Sequence, residues 1–135
     1  MGAYGNGGSG GGITSQSESI LLVLEPLDTD ASAGTKKAVI PYFPYSLSSI
    51  TLNLAVDTAP TGSTFIVDLN VDGTSILSTK ISIDDGETDS STAATAYALT
   101  TTSIAEGAKV TIDIDQVGAT TPGQNPVLTI EGVRS

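Results

Sequence analysis

The sequence predicts an all-β protein: a single antiparallel, jelly-roll-like sandwich of about eight strands, preceded by a Gly-rich extended N-terminal arm. Three observations carry this expectation. Short runs of alternating apolar and polar residues recur along residues 14–135. Turn clusters of Gly, Pro, Asp, Ser and Thr separate them at fairly regular intervals, and about eight strands in this rhythm favour a jelly roll. No window of about ten residues keeps the spacing of an amphipathic helix.

The first boundary is compositional. Residues 1–12 (MGAYGNGGSGGG) hold seven glycines, at 2, 5, 7, 8, 10, 11 and 12. Such a segment cannot bury enough apolar surface to offset its ordering entropy, so on its own it is a flexible coil. Residues 1–13 are therefore expected to be an anchoring arm that orders only along a neighbouring protein. Its candidate partner-binding residues are Tyr4, Asn6 and Ile13, its sizeable side chains besides Met1. A plain linker is the competing reading.

Residues 14–135 follow as one domain, since 135 residues suffice for one real core and hardly for two. Residues 19–25 (SILLVLE) are an apolar run expected to be a strand buried on both faces, ended by Pro26. Residues 36–40 form a second strand, stopped by Pro41 and Pro44. Residues 48–56 (SSITLNLAV) alternate, with Ile50, Leu52, Leu54 and Val56 on one face and Ser49, Thr51, Asn53 and Ala55 on the other. Residues 64–71 alternate again, with Phe65, Val67, Leu69 and Val71 inward. A strand over 75–83, a solvated loop over 84–91 and a weaker strand over 93–101 come next. Residues 103–107 make at most a turn. Residues 109–115 (KVTIDID) are a strong strand, 116–126 a Gly, Thr and Pro-rich loop, and 127–133 the closing strand.

One stretch reads two ways. Asp68, Asn70, Asp72 and Gly73 in VDLNVDGTSIL match the opening of an EF-hand calcium loop. That loop needs a Glu at its twelfth position and flanking helices; here the twelfth residue is Thr79 and both flanks read as strands. The three side chains alternate with Val67, Leu69 and Val71, so a strand would space them ~6.6 Å apart on its outer face, too far for one ion. The stretch is a hairpin turning at Asp72-Gly73.

Charge and missing residue types narrow the function. Against 5 basic residues stand 15 acidic ones, a formal net charge of −10. Such a surface is repelled by phosphate backbones and by anionic lipid, so neither nucleic acid nor membrane is an expected partner. No apolar run approaches the ~18 residues of a membrane span, and no secretory signal precedes the domain. Asn6 stands where a myristoylation motif wants Ser or Thr. With no Cys there is no thiolate nucleophile or structural zinc cluster, and with no His the usual general base is missing.

The remaining candidate sites read as surface. The pairs Asp84/Asp85 and Asp113/Asp115 could supply the two acids of a glycosidase, but Asp113 and Asp115 alternate with Ile112 and Ile114 on one outer strand face, and a solvated face is the preferred reading. Asp84, Asp85, Glu87 and Asp89 form a charged loop rather than a calcium site. In Tyr42-Phe43-Pro44-Tyr45, which holds half of the aromatics, core or rim packing is preferred to a contact patch. No catalytic, cofactor or metal residues are expected, and no enzyme.

A family resemblance adds to this. Residues 59–77 (APTGSTFIVDLNVDGTSIL), 82–87 (SIDDGE), 110–117 (VTIDIDQV) with Gly118, and 120–123 (TTPG) occur in an order that resembles a β-module of tailed-bacteriophage virion proteins. The resemblance runs from about Val39 to the C-terminus and leaves out the arm. It implies a jelly-roll-like domain, commonly trimeric, of capsid decoration proteins, head fibres or tail fibres. The expected function is thus a non-enzymatic virion protein, a decoration (cement) subunit on the outside of a phage head. Its expected partners are the major capsid protein, neighbouring virion subunits and its own copies in a homotrimer, after synthesis in the host cytoplasm. A receptor- or carbohydrate-binding fibre module is the alternative. It is disfavoured because the β-domain begins within about 15 residues of Met1 and the chain has no Trp for a sugar platform.

Overall fold

A computed structural model of the protein describes residues 15–134. The arm over 1–13, with Tyr4, Asn6 and Ile13, lies outside the described residues. The described chain is all-β, with ten strands and one 3-10 turn at Ser90–Thr92. The strands are β1 (Gln16–Val23), β2 (Gly34–Ile40), β3 (Leu47–Ala55), β4 (Phe65–Val71), β5 (Thr74–Ser75), β6 (Leu77–Thr79), β7 (Ile81–Ile83), β8 (Ala98–Leu99), β9 (Val110–Gln116) and β10 (Val127–Arg134). One sheet has the order β1-β10-β3; a second runs β2-β9-β4-β5, with β7 also on β4; β6 and β8 make a short ladder. Every pairing is antiparallel.

Alternation places one side of each sheet inward. From the first sheet, Leu52, Leu54, Leu128 and Ile130 are buried; from the second, Phe65, Val67, Leu69, Val110, Ile112, Ile114, Ile81 and Ile83 meet them in a single core. The inward sets expected for β3 and β4 are thus found, with Val71 half-buried at the rim.

The hairpin reading also holds. Val71 pairs with Thr74 and Asn70 with Ser75, leaving Asp72-Gly73 as a two-residue loop. Both have positive φ, 51° and 85°, as a type I′ turn requires.

Three expectations need correction. The run 19–25 is not buried on both faces: β1 is an edge strand whose Leu21 and Val23 are each 64% exposed. The expected strand 75–83 is three pieces, because after Ile76 bonds Leu69 the chain leaves the sheet as β6 and returns to β4 as β7. The expected strand 93–101 shrinks to Ala98–Leu99.

That last segment has other work. The amides of Ile50, Leu52, Leu54 and Val56 point off the free edge of β3, and each donates to an acceptor from residues 88–102. These are the Thr102 carbonyl (3.0 Å), Tyr97 Oη (2.9 Å), Ser90 Oγ (2.9 Å) and the Thr88 carbonyl (2.9 Å). A regular strand would offer only carbonyls at fixed spacing; this irregular one closes the edge with two side chains and two carbonyls.

The loop over 117–126 is fixed by a close approach at Gly118. A Cβ there would lie 1.9 Å from the Thr121 carbonyl oxygen and 2.7 Å from the Thr61 nitrogen, both backbone atoms that cannot yield. Gly118→Ala is expected to cost about 4 kcal/mol or more, in the range of the largest single-residue effects. Gly73→Ala, with open space around it, should cost only the left-handed strain of about 1–2 kcal/mol. Urea unfolding of the two variants checks this ordering.

Candidate interaction surface

The two outer faces of the sandwich differ in chemistry. On the second sheet, Asp68 of β4 stands directly opposite Asp113 of β9. Like charges so placed repel, and the local structure is arranged around them. Asp68 is only 7% exposed, not on the solvated face its alternation suggested. The Ser75 hydroxyl donates to its Oδ1 at 2.6 Å, and Lys80 Nζ lies 3.8 Å from its Oδ2. Asp113 accepts from the Lys36 amide at 2.9 Å and from Asn70 Nδ2 at 3.1 Å. Lys80 also pairs with Asp115, and that hydrogen bond, ahead of the surrounding carboxylates, raises its pKa above the usual lysine value. This face is a closed polar network in which acids and donors are matched to one another.

The detour of the chain through β6 explains the burial. Lys80 sits between β6 and β7, where the return to β4 brings it over Asp68 and Asp115. A single straight strand over 75–83 would not place it so.

The other candidate ligands do not converge. Asp68 faces Ser75 and Lys80, Asn70 faces Asp113, and Asp72 Oδ1 accepts from the Lys109 amide at 2.9 Å. In the loop after β7, Asp84 accepts from the Ala94 amide (2.8 Å), Glu87 from the Thr92 hydroxyl (2.6 Å) and Asp89 from the Ser91 amide (2.7 Å). Among the described residues no three acidic side chains are grouped to hold a metal. The aromatic cluster divides: Phe43 is wholly buried, Tyr42 is 63% exposed, and Tyr45 lies between. Tyr45 packs edge-on to Phe43 at 6.0 Å and under the Arg134 guanidinium at 4.9 Å. Burial, then the negative charge of Glu18, raises its pKa.

The outer face of the first sheet is different. Its register sets Val23 beside Val127 beside Ala55, then Leu21 beside Thr129 beside Asn53, then Ser19 beside Glu131 beside Thr51. Two full rows carry no charge. Leu21, Val23 and, in the loop leaving the same end of β1, Leu27 (79% exposed) are the three largest exposures among the bulky apolar residues described. Glu18 pairs with Arg134 at 3.3 Å at the opposite end of β1, and Glu25, two residues beyond Val23, pairs with Lys37 at 3.1 Å. Sequence reasoning missed this surface, because the apolar run that fills a strand buried on both faces is identical to one that leaves its outer side open.

Comparison with known families, with curated proteins and with solved structures found no match to this chain.

Two predictions follow from the acidic residues. Because the candidate ligands are turned apart, neither EDTA nor millimolar calcium should move the thermal midpoint; a calcium-dependent rise of several degrees would show a site that binds the folded state. The Ser91 amide on Asp89 holds that carboxyl below its ordinary value of 3.8. A depressed folded pKa contributes stability that is present above the ordinary value and lost as pH falls through the folded one. Asp89→Ala should therefore cost about 1 kcal/mol at neutral pH, as for other lost caps. The gap to wild type should close below the ordinary carboxyl value, as read by urea midpoints down a pH series.

Proposed function

We propose that this is a non-enzymatic structural protein of a tailed-phage particle: a jelly-roll-like decoration subunit, homotrimeric, that binds the outside of the head and stabilises it. One observation carries the reading. A molecule with a net charge of −10 leaves two full rows at one end of a sheet face uncharged and exposes Leu21 and Val23 there, a combination that suits contact with protein rather than small-molecule chemistry. Two further points support it. The strand order places β1, β10 and β3 in one sheet and β2, β9 and β4 in the other, the alternation a jelly roll requires. The sequence blocks resembling the virion module fall on β4, the hairpin to β5, β7 with its following loop, and β9.

The arm over 1–13 is the proposed attachment to the capsid protein or a neighbouring virion subunit, with Tyr4, Asn6 and Ile13 in contact. Ordering its backbone costs roughly 1–2 kcal/mol per residue, which an extended partner surface offsets through backbone hydrogen bonds. Deleting residues 2–12 should leave a folded domain by circular dichroism that no longer sediments with phage particles. Undecorated particles should assemble yet lose integrity at lower temperature. Full-strength binding by the truncated protein overturns the anchoring role and shifts the reading to a receptor- or carbohydrate-binding fibre module.

A further inference from the structure

We infer that a hollow on the outer face of the second sheet, floored by Ile66 and Ser82, is a binding site for a neutral saccharide. The inference goes beyond the reading above: it concerns the isolated chain, and holds for a decoration subunit and a fibre module alike.

The hollow is built by the strand pattern and by the chain's departure from it. Ile66 of β4 pairs with Ser82 of β7, and both side chains face outward, since their neighbours Phe65, Val67, Ile81 and Ile83 are in the core. Thr64 and Asp84, two residues further along each strand, fall on the same face and line the same space. One wall is Thr79 and Lys80, which the detour through β6 brings back over the sheet. The other is Thr95, held there because the Ala94 amide donates to Asp84 Oδ2 at 2.8 Å. The space between them is about 450 Å³, within the roughly 300–1,000 Å³ of small-molecule sites.

The lining selects the ligand class. Hydroxyls such as those of Ser75 and Ser90 are committed within the fold, whereas those of Thr64, Thr79, Ser82 and Thr95 have no partner among the described residues. A Ser or Thr hydroxyl both donates and accepts, as does each hydroxyl of a sugar, so four in one hollow match a polyhydroxylated ring. Ile66 offers an aliphatic surface to the ring C–H groups. An anion would meet Asp84 and a net charge of −10; a cation would meet Lys80. A purely apolar ligand would leave the hydroxyls unmatched. Without an aromatic ring to stack on the sugar, binding should be weak, with a Kd of about 1 mM.

The test titrates the full chain with glucose, galactose, mannose and N-acetylglucosamine, following backbone amides by heteronuclear NMR. At least one sugar should give saturable shifts confined to residues 64–66, 78–84 and 94–95. Thr64→Val/Ser82→Val removes two hydroxyls from half-buried positions where a β-branched side chain suits a strand, so the fold should survive, which circular dichroism checks. It should weaken that binding at least about tenfold, and Thr95→Val, at an exposed loop position, should weaken it severalfold. Thr51→Val/Thr129→Val on the first sheet should leave it unchanged. Glycerol, a polyol without a ring, and inorganic phosphate, an anion, should shift none of these residues at the same concentration. No saturable shift with any of the four sugars overturns the site, and undiminished binding by the variants overturns its placement in the hollow. Equal shifts with glycerol show an unselective polar surface, and phosphate shifts at Lys80 an anion site; either overturns the saccharide. Particle binding does not enter this test, so its failure leaves the proposed decoration role standing.

Discussion

Backbone hydrogen bonding along β3 is the constraint from which the rest of the architecture follows. Its outward amides at 50, 52, 54 and 56 sit at a sheet edge beside a fully buried inner face, so leaving them unmatched would be costly. The chain between β7 and β9 is committed to that edge, and its acceptors are set by the edge rather than by any strand of its own. Tyr97 and Ser90 serve through their hydroxyls because the segment does not run in register. With this segment held against β3, only two of its residues, Ala98 and Leu99 of β8, are left to pair with β6. The detour that contains β6 in turn delivers Lys80 to the carboxylates of Asp68 and Asp115.

The distribution of charge follows from the same arrangement. The second sheet can carry facing aspartates on its outer side because bulges and turns bring compensating groups to them. The bulge in β2 puts Lys36, in a left-handed conformation, where its amide reaches Asp113, and the hairpin brings Ser75 to Asp68. On the first sheet Glu131 accepts from the Ser19 hydroxyl, and the two rows beyond it are Val, Leu, Ala, Thr and Asn, beside the edge strand β1. One face of the sandwich satisfies itself, and the other is left to be covered. That asymmetry underlies the proposed decoration role.

Much of the fold was legible in the residues. Strict alternation fixed the inner faces of β3, β4 and β9, since in an extended chain a period of two leaves no freedom in which side chain faces the core. Asp72-Gly73 declared its turn, because few residue pairs accept two positive φ values in succession. The same alternation ruled the Asp68–Asn70–Asp72 row out as a calcium loop, and in the structure those three side chains do find separate partners.

What the sequence by itself determined, then, was local: the all-β class, the strands with clear alternation, the hairpin, the acidic charge and the absence of His and Cys. What only the tertiary structure decided was which strand lies beside which. The run SILLVLE has the same letters whether it is a central strand or an edge; the pairing of β1 with β10 alone, over 100 residues away in the chain, exposes Leu21 and Val23. Burial of Asp68 was equally hidden, because its cover comes from a detour of the chain that no periodicity records. Alternation is a property of one strand, whereas neighbourhood and edge are properties of the pairing between strands, and that pairing is settled by which distant segment satisfies each free amide.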